Sequence, residues 1–363
     1  MDPKHFPYDR FNHFKADKQA NLLRFINSPV LDDIPVVIQP PSDIWGAVSG
    51  DRVESLQHQL DALALSMKLE SDFLFTYLEP WHGVGVYANI FGCPVNWYDF
   101  DAPQTLPIIH SLEQLKNIRR PNILTAELPK MILDTIHYFR EVTHDQLDIV
   151  LTDTQSPNDS ASLIISTNEF FAANLVGMEL LAPFMEILTD VMIDFSEMQF
   201  DAMGSTAVRP GHIMLSAPSL AGISVSDDNM SVISKRAYTN AALPYNSRLG
   251  EHFGGIALHT CGDFHQNYEV VKQVKNLVLL DCHVKGADPQ PNNPSRLANA
   301  FAGTGIIMKV SIGPEETHWS DLDELIRPDL RLILQVVSDG DVEKSNTMYF
   351  RLKERCRLIL AGK

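Results

Sequence analysis

The sequence has few cysteines and few basic residues for its length. Only four cysteines occur in 363 residues, and they do not form the paired framework of a disulfide-stabilised secreted protein. They indicate free thiols in a reducing compartment, so we expect a cytoplasmic protein. The 29 basic residues are outnumbered by 46 acidic ones, which gives a formal net charge of −17. This balance argues against nucleic acid and against an anionic membrane surface as partners, because both require basic patches.

Long apolar runs, repeats and glycine-rich phosphate-binding turns are missing as well. No uninterrupted apolar segment approaches the ~20 residues needed to span a bilayer. Residues 1–19 are polar and aromatic, unlike a signal peptide. No Gly-x-Gly-x-x-Gly turn follows the first apolar run, so a dinucleotide-binding fold has no support.

What the sequence does contain is a regular alternation of apolar runs and amphipathic segments. The segments 51–70, 168–204 and 234–253 have apolar residues at helical spacing, and the last should be kinked or broken near Pro244. Several of the runs are continuously hydrophobic, as parallel strands covered on both faces are. The eight runs are 35–40, 72–80, 148–155, 212–218, 255–262, 277–284, 305–312 and 331–339.

Eight strand–helix units predict an α/β protein with a single (β/α)8 TIM barrel. We place the barrel at residues 31–363 and an N-terminal extension that packs on it at residues 1–30. In such barrels the active site lies at the carboxyl ends of the strands. The polar residues at those ends are Gln39, Glu79, Asp153, Gln155, Ser216, His259, Cys261, Asp281, Cys282, His283, Ser311, Ser338 and Asp339.

The stretch "LHTCGDFHQ" at 258–266 carries the most specific chemical signal. Side chains two apart on a strand point to the same side, so His259 and Cys261 share a face. An imidazole and a thiolate on one face suit zinc, although a buried cysteine beside a hydrogen-bonded histidine has the same pattern. Gly262 allows the backbone to turn sharply after the pair.

A catalytic zinc needs a third protein ligand and one open position. Cys282 is our preferred third ligand, because it ends the next strand and a second thiolate would bind zinc tightly. Strand alternation opposes this choice if Asp281 faces the lumen, since His283 would then share its side. His283, His318 and Glu79 are the alternatives.

The order "GISVSDDNMSVIS", "PYNSRLGEHFGGIALHTCGDFHQ", "LVLLDCHV" resembles the uroporphyrinogen decarboxylase (URO-D) superfamily, and most closely its methylcobamide:coenzyme M methyltransferase branch. The segments "EPWHGVGVYANIFGCPVNWYD" and "TDTQSPNDSASLI" extend the resemblance over residues 30 to the end. It implies a (β/α)8 barrel with zinc on His259 and Cys261. The family's third ligand is a cysteine after the seventh strand, where this chain reads "IIMKVSIGPEETHW" without one.

The resemblance implies a methyltransferase that passes a methyl group from a methylcorrinoid to a thiol activated on zinc. Glu79, Asp153 and Asp281 are then the candidate catalytic or orienting acids, and Gln155, Asp227 and His283 the candidate cofactor-binding residues. Asp228, beside Asp227, is expected to cap a helix. We expect a small-molecule substrate, a corrinoid protein as a possible partner and a possible homodimer.

Two alternatives stay open at this point. A decarboxylase acting on a carboxylated tetrapyrrole is one, but the arginine-rich N-terminal motif and the Gly-His-Gly of the true decarboxylases are missing, and "VVSDGDV" stands in place of the latter. A barrel that binds a corrinoid or small molecule without turnover is the other. Zinc content separates the methyltransferase from both.

Overall fold

The computed structural model describes residues 1–28, 33–41, 50–98 and 102–362. Its strands are β1 Val36–Gln39, β2 Tyr77–Leu78, β3 Val95–Asn96, β4 Gln104–Thr105, β5 Asp148–Ile149, β6 Ile223–Ser226, β7 Ile256–His259, β8 Leu277–His283, β9 Ile307–Ser311 and β10 Leu332–Val337. Its α-helices are α1 Tyr8–Asn27, α2 Arg52–Ser66, α3 Val86–Ile90, α4 Glu127–Thr143, α5 Pro157–Ile164, α6 Thr167–Val176, α7 Met178–Met203, α8 Lys235–Ala241, α9 Leu243–Phe253, α10 Tyr268–Val271, α11 Pro294–Phe301, α12 Leu322–Leu325 and α13 Val342–Leu360.

Eight of these strands follow one another around a closed barrel. Six form one parallel sheet in the order β1-β10-β9-β8-β7-β6, and β2 pairs in parallel with β5. A parallel bridge from Gln155 to Ser226 joins the segment after β5 to β6. The Asp72 amide donates to the Val36 carbonyl at 2.9 Å and closes the ring beside β1. The predicted single (β/α)8 barrel is confirmed.

The predicted helices form, and two of the predicted segments are divided at or near a proline or a glycine. The segment 234–253 divides into α8 and α9, and Pro244 stands in the first turn of α9, where its missing N–H costs no hydrogen bond. The segment 168–204 divides at Gly177 into α6 and α7. A Cβ at Gly177 would lie 2.8 Å from Leu112 Cδ1, so the break also allows close packing.

The run 212–218 is not a strand, which corrects one of the eight strand predictions and places Ser216 in an irregular segment. The fourth barrel strand is β6, eleven residues after the start of that run. Met214, Leu215 and Ala217 are nevertheless buried, because they fill the barrel lumen beside inward-facing strand residues. Here the apolar composition correctly predicted that the run is buried but wrongly predicted a strand.

The lumen is layered along the barrel axis. The apolar layer contains Val37, Ala257, Leu279, Ile307 and Ile333. Two residues further along each strand, on the same face, the polar layer contains Gln39, His259, Asp281, Lys309 and Gln335. Alternation along the strands therefore places a polar set directly above an apolar floor.

Helix α1 closes the amino-terminal end of the barrel. Leu22 joins the lumen cluster, and Lys15 pairs with Asp148 of β5 at 2.7 Å. The predicted boundary between an extension at 1–30 and the barrel at 31–363 falls at residues outside the described part of the chain, and it stays a prediction.

Among the described residues, no single helix combines the length and apolar character needed to cross a membrane; only the pair Thr167–Val176 and Met178–Thr206, bent by 110°, does so together.

Candidate active site

A cavity of about 660 Å³ opens at the carboxyl ends of the strands. Its volume is within the range of small-molecule sites. Most of the predicted strand-end residues meet there. The side chains that carry chemistry are Gln39, Asp153, Gln155, His212, Asp228, His259, Cys261, Asp281, His283, Lys309, Ser311 and Gln335.

His259 stands at the centre of the cluster, held in one orientation. Its Nδ1 lies 2.7 Å from Asp281 Oδ2, and its Nε2 lies 3.3 Å from Cys261 Sγ. Asp281 is held in turn by the buried Lys309, whose Nζ donates to Oδ1 at 2.6 Å. A carboxylate on Nδ1 fixes the tautomer that leaves Nε2 as the ligand atom.

Electrostatics favour this arrangement of charges. Burial would raise the pKa of Asp281, but the Lys309 ammonium and His259 together hold it well below its usual range. Burial alone would lower the pKa of His259, yet the hydrogen bonds to Asp281 and Cys261 raise it well above the ordinary value. Asp281 is therefore a permanent anion behind the imidazole.

Asp228 completes a group of possible metal ligands with the pair. Its Oδ1 accepts from the Cys261 amide at 2.7 Å and lies 3.9 Å from His259 Nε2. The donor atoms of Asp228, His259 and Cys261 all lie within 4.8 Å of one another. Oxygen, nitrogen and sulfur at such separations fit zinc, which binds each at 2.0–2.3 Å.

His283 faces the cavity on the other side of Cys261. Its ring centroid is 5.4 Å from that of His259, and its Nδ1 lies 3.5 Å from Asp288 Oδ2. Cys261, His283 and Asp288 form a second group with the same donor spacing. The backbone permits this because Gly262 has φ +75° and its amide donates to Asp288 at 3.1 Å.

The prediction that Cys282 is the third metal ligand is wrong. It is completely buried in the outer hydrophobic cluster, and no group of possible ligands among the described residues includes it. Strand alternation is the reason: Asp281 and His283 face the lumen, so Cys282 faces the helices. Burial there raises the pKa of its thiol well above the ordinary value.

The other two candidate third ligands also lie away from the pair. His318 accepts from the Glu315 amide at 3.3 Å in a short 3-10 helix. Glu79 bonds to His212 instead.

The prediction that Asp227 binds a cofactor is also wrong. Its neighbour Asp228 lines the cavity instead. Asp227 is fully buried and accepts hydrogen bonds from Ser156, Tyr238 and Asn246. Burial raises the pKa of Asp227 to about 6, although the three donors oppose the shift. Asp228 is half-exposed and lines the cavity. Its carboxylate accepts from the Cys261 amide, and the expected helix cap is not seen, because the 3-10 helix that begins at Asp228 has no side-chain cap.

Glu79 and Asp153 meet on the opposite wall through a residue that the sequence reading overlooked. His212 places Nδ1 2.7 Å from Glu79 Oε1 and Nε2 3.6 Å from Asp153 Oδ2. Asp153 also accepts from Gln155 at 2.9 Å. Asp153 and Gln155 line the large cavity, whereas Glu79 lines a small one of about 50 Å³ behind His212.

Lys309 and His212 are the functional candidates that sequence reasoning missed. A lysine in the middle of the apolar run "IIMKVSI" was a usable signal, because a buried lysine requires a partner. His212 offered a weaker one, since its run was read as a strand.

Three comparisons relate the chain to known proteins. None of the curated proteins matches its sequence. A solved structure of a methyltransferase from Methanosarcina mazei superposes with a TM-score of 0.64 and 15% identity, over 93% of this chain and 98% of that chain. At that identity the likeness concerns the fold. A family model, uroporphyrinogen decarboxylase (URO-D), matches residues 82–293. That match covers more than half of the chain, which therefore belongs to the URO-D family.

Proposed function

We propose that this protein is a zinc-dependent methyltransferase that passes a methyl group from a methylcorrinoid to a thiol. One observation carries the proposal. His259 is held by Asp281 at Nδ1 and directs Nε2 toward Cys261 Sγ at 3.3 Å. A carboxylate behind a histidine whose free nitrogen faces a thiol is the pattern of a metal ligand pair with an orienting partner.

In this proposal His259, Cys261 and Asp228 hold the zinc. Asp228 is preferred to His283 because its oxygen groups with both members of the pair at once. His283 groups with each of them only separately, with His259 and Asp281 or with Cys261 and Asp288. Zinc supplies a lowered pKa for a coordinating thiol, which makes a nucleophile available at neutral pH. His283 is left to contact the substrate at the cavity wall.

The charges of the cavity support a thiol rather than a porphyrinogen as substrate. Lys309 is the one lysine or arginine among its described lining residues, and Asp281 already neutralises it. The undescribed stretches 29–32, 42–49 and 99–101 contain no basic residue. A substrate with several carboxylates would face Asp153 and Asp228 without a partner, which is costly in a shielded site.

The corrinoid enters the proposal only as the methyl donor at the cavity mouth. A corrinoid is larger than the cavity, so a corrinoid protein that presents the cofactor at the mouth is the partner we propose. The barrel's own residues then position the acceptor: Cys261 and His259 at the metal, and His283 beside it.

Metal analysis of the purified protein tests the proposal. Protein prepared without chelator should contain one zinc per chain, and Cys261→Ser and His259→Gln should lose it. His265→Gln is the matched control, because His265 is exposed and pairs with Asp263. Absence of zinc from the native protein contradicts the proposal.

Turnover is tested with methylcobalamin and a small thiol, followed by the absorbance change on demethylation. The zinc protein should catalyse the loss of the methyl group, and Cys261→Ser should not. Bound zinc without thiol-dependent demethylation would favour a barrel that binds without turnover.

A further inference from the structure

Three buried groups form a chain across the wall opposite the zinc ligands. Glu79, His212 and Asp153 expose 1%, 5% and 3% of their surface. His212 stands between the two carboxylates, at 2.7 Å from Glu79 and 3.6 Å from Asp153. Only the Asp153 and His212 end faces the large cavity. The chain therefore leads from the cavity to a carboxylate that the cavity does not reach.

The geometry indicates how many protons the chain holds. Each ring nitrogen of His212 faces a carboxylate oxygen, and a neutral imidazole could donate to only one of them. The arrangement suits an imidazolium between two carboxylates, with a net charge of −1. A buried net charge is unfavourable, so this chain has capacity for one more proton.

The contacts of the chain with Gln59 and Trp81 bring no positive charge to it. Gln59 donates to the Glu79 carbonyl and Trp81 lies 3.5 Å from Asp153 Oδ2, and both are neutral. Burial raises the pKa of Glu79, and the proximity of His212 offsets this only in part. The titratable and charged groups near the chain and across the cavity are Tyr77, Asp228, His259, Cys261, Asp281, His283 and Lys309.

We propose that the chain of Glu79, His212 and Asp153 stores the proton that a substrate thiol loses when it ionises in the cavity, with Glu79 protonated in the storing state. This inference rests on the proposed thiol chemistry. The S–H bond breaks, its electron pair stays on sulfur, and the proton goes to Asp153 Oδ2. Because Asp153 is then neutral, the His212 imidazolium gives its Nδ1 proton to Glu79 Oε1 and keeps the proton on Nε2. Both carboxylates end protonated and His212 ends neutral. The chain changes from −1 to neutral, and the stored proton returns to solvent once the thioether has left.

Proton counting tests the store. The zinc-loaded protein is mixed with 2-mercaptoethanol in weak buffer containing a pH indicator, and protons released per bound thiol are measured. The native protein should release clearly fewer than one, and Glu79→Gln about one. Asp153→Asn, which closes the entry of the chain, should give the same rise if Glu79→Gln folds poorly. Glu197→Gln is the matched control, because Glu197 pairs with His252 in an exposed position.

An infrared measurement separates the store from the thiol chemistry. On lowering the pH, the native protein should show the carbonyl stretch of one more buried protonated carboxylic acid than Glu79→Gln, seen in the difference between their spectra, in which the Asp227 band common to both proteins cancels. If the native protein binds no thiol but shows this band, the proposed function fails and Glu79 still holds a proton. Equal proton release by native protein and Glu79→Gln, or identical carbonyl bands in the two proteins, overturns the store. A purely structural salt link would give both of those results.

Discussion

At the scale of single residues, strand alternation decides which polar groups reach the proposed metal site. His259 and Asp281 are inward-facing and Cys282 is outward-facing, although all three are buried. A preference based on ligand chemistry selected Cys282, while the simple period of two favoured its neighbours. The geometric rule was the more reliable guide.

Substituting Cys282 tests this distinction. Cys282→Ala should keep one zinc per chain, because the side chain packs in the outer core. It should lower the free energy of unfolding by on the order of 1 kcal/mol through lost packing. Metal analysis and urea unfolding check the two parts, with Cys261→Ala as the contrasting variant that loses zinc and retains stability in the metal-free form. Loss of zinc from Cys282→Ala would contradict the assignment.

Asp281 should serve both metal binding and stability. Asp281→Asn leaves Lys309 buried without a counter-charge, which should destabilise the protein by about 3–5 kcal/mol. Loss of the carboxylate behind His259 should weaken zinc binding by about 10–100-fold. Chelator competition measures the affinity and denaturant unfolding of the metal-free protein measures the stability. Adding Lys309→Met to Asp281→Asn should restore stability without restoring zinc affinity, and failure to separate the two effects would argue against this account.

At the scale of elements, the loop after β6 shows why adjacent aspartates have opposite roles. Asp227 turns inward and ties that loop to α8 and α9 through Tyr238 and Asn246. The backbone amides of Asp228 and Asn229 donate hydrogen bonds to the Asp159 carboxylate at 2.5 and 3.0 Å. The loop is therefore anchored from beneath, and the anchoring positions the Asp228 carboxylate beside Cys261.

This anchor should give a pH-dependent stability. The pKa of Asp227 is raised from 3.8 to about 6 by burial, so between these values the folded state binds more protons than the unfolded state. The free energy of unfolding should therefore fall as the pH rises from about 4 to 6 through this group. Tyr238→Phe removes a donor that favours the carboxylate, so the fall should be larger and extend to higher pH. At pH 7 the variant should lose about 1.5–3 kcal/mol.

Urea unfolding between pH 4.5 and 7.5 measures both curves. Tyr245→Phe is the control, since Tyr245 donates to the Ala182 carbonyl rather than to a carboxylate. Tyr245→Phe should lower the free energy of unfolding equally at every pH, without changing its dependence on pH. Parallel curves for Tyr238→Phe and the native protein would show that Asp227 does not control the pH dependence.

The sequence predicted elements where one physical signal dominated. Continuous apolar runs located seven of the eight barrel strands, because parallel strands covered on both faces have no polar face. The run 212–218 has the same composition but fills the lumen, and composition does not separate a strand from a buried turn. The pairing of His259 with Asp281 could be expected from neighbouring strands, whereas the link from Glu79 to His212 spans 133 residues and has no local signal.

At the scale of the whole molecule, the residues of the proposed metal site come from separate elements of a closed barrel. Cys261 and His259 lie at the end of β7, Asp281 on β8, Lys309 on β9 and Asp228 after β6. The core beneath them is apolar and continuous, so we expect the fold not to depend on the proposed ion. Zinc should therefore add stability without creating structure.

The zinc-free protein should accordingly be folded but less stable. A ligand that binds only the native state stabilises it by RT ln(1 + [L]/Kd), which is about 2.7 kcal/mol at a free zinc concentration of 100 Kd. Chelation should lower the unfolding temperature while far-ultraviolet circular dichroism at 25 °C stays unchanged. Cys261→Ser should unfold at the same temperature with and without zinc, because it lacks the site. A loss of helical signal on chelation would mean instead that zinc organises the barrel, and an equal zinc effect in Cys261→Ser would place the ion elsewhere on the chain.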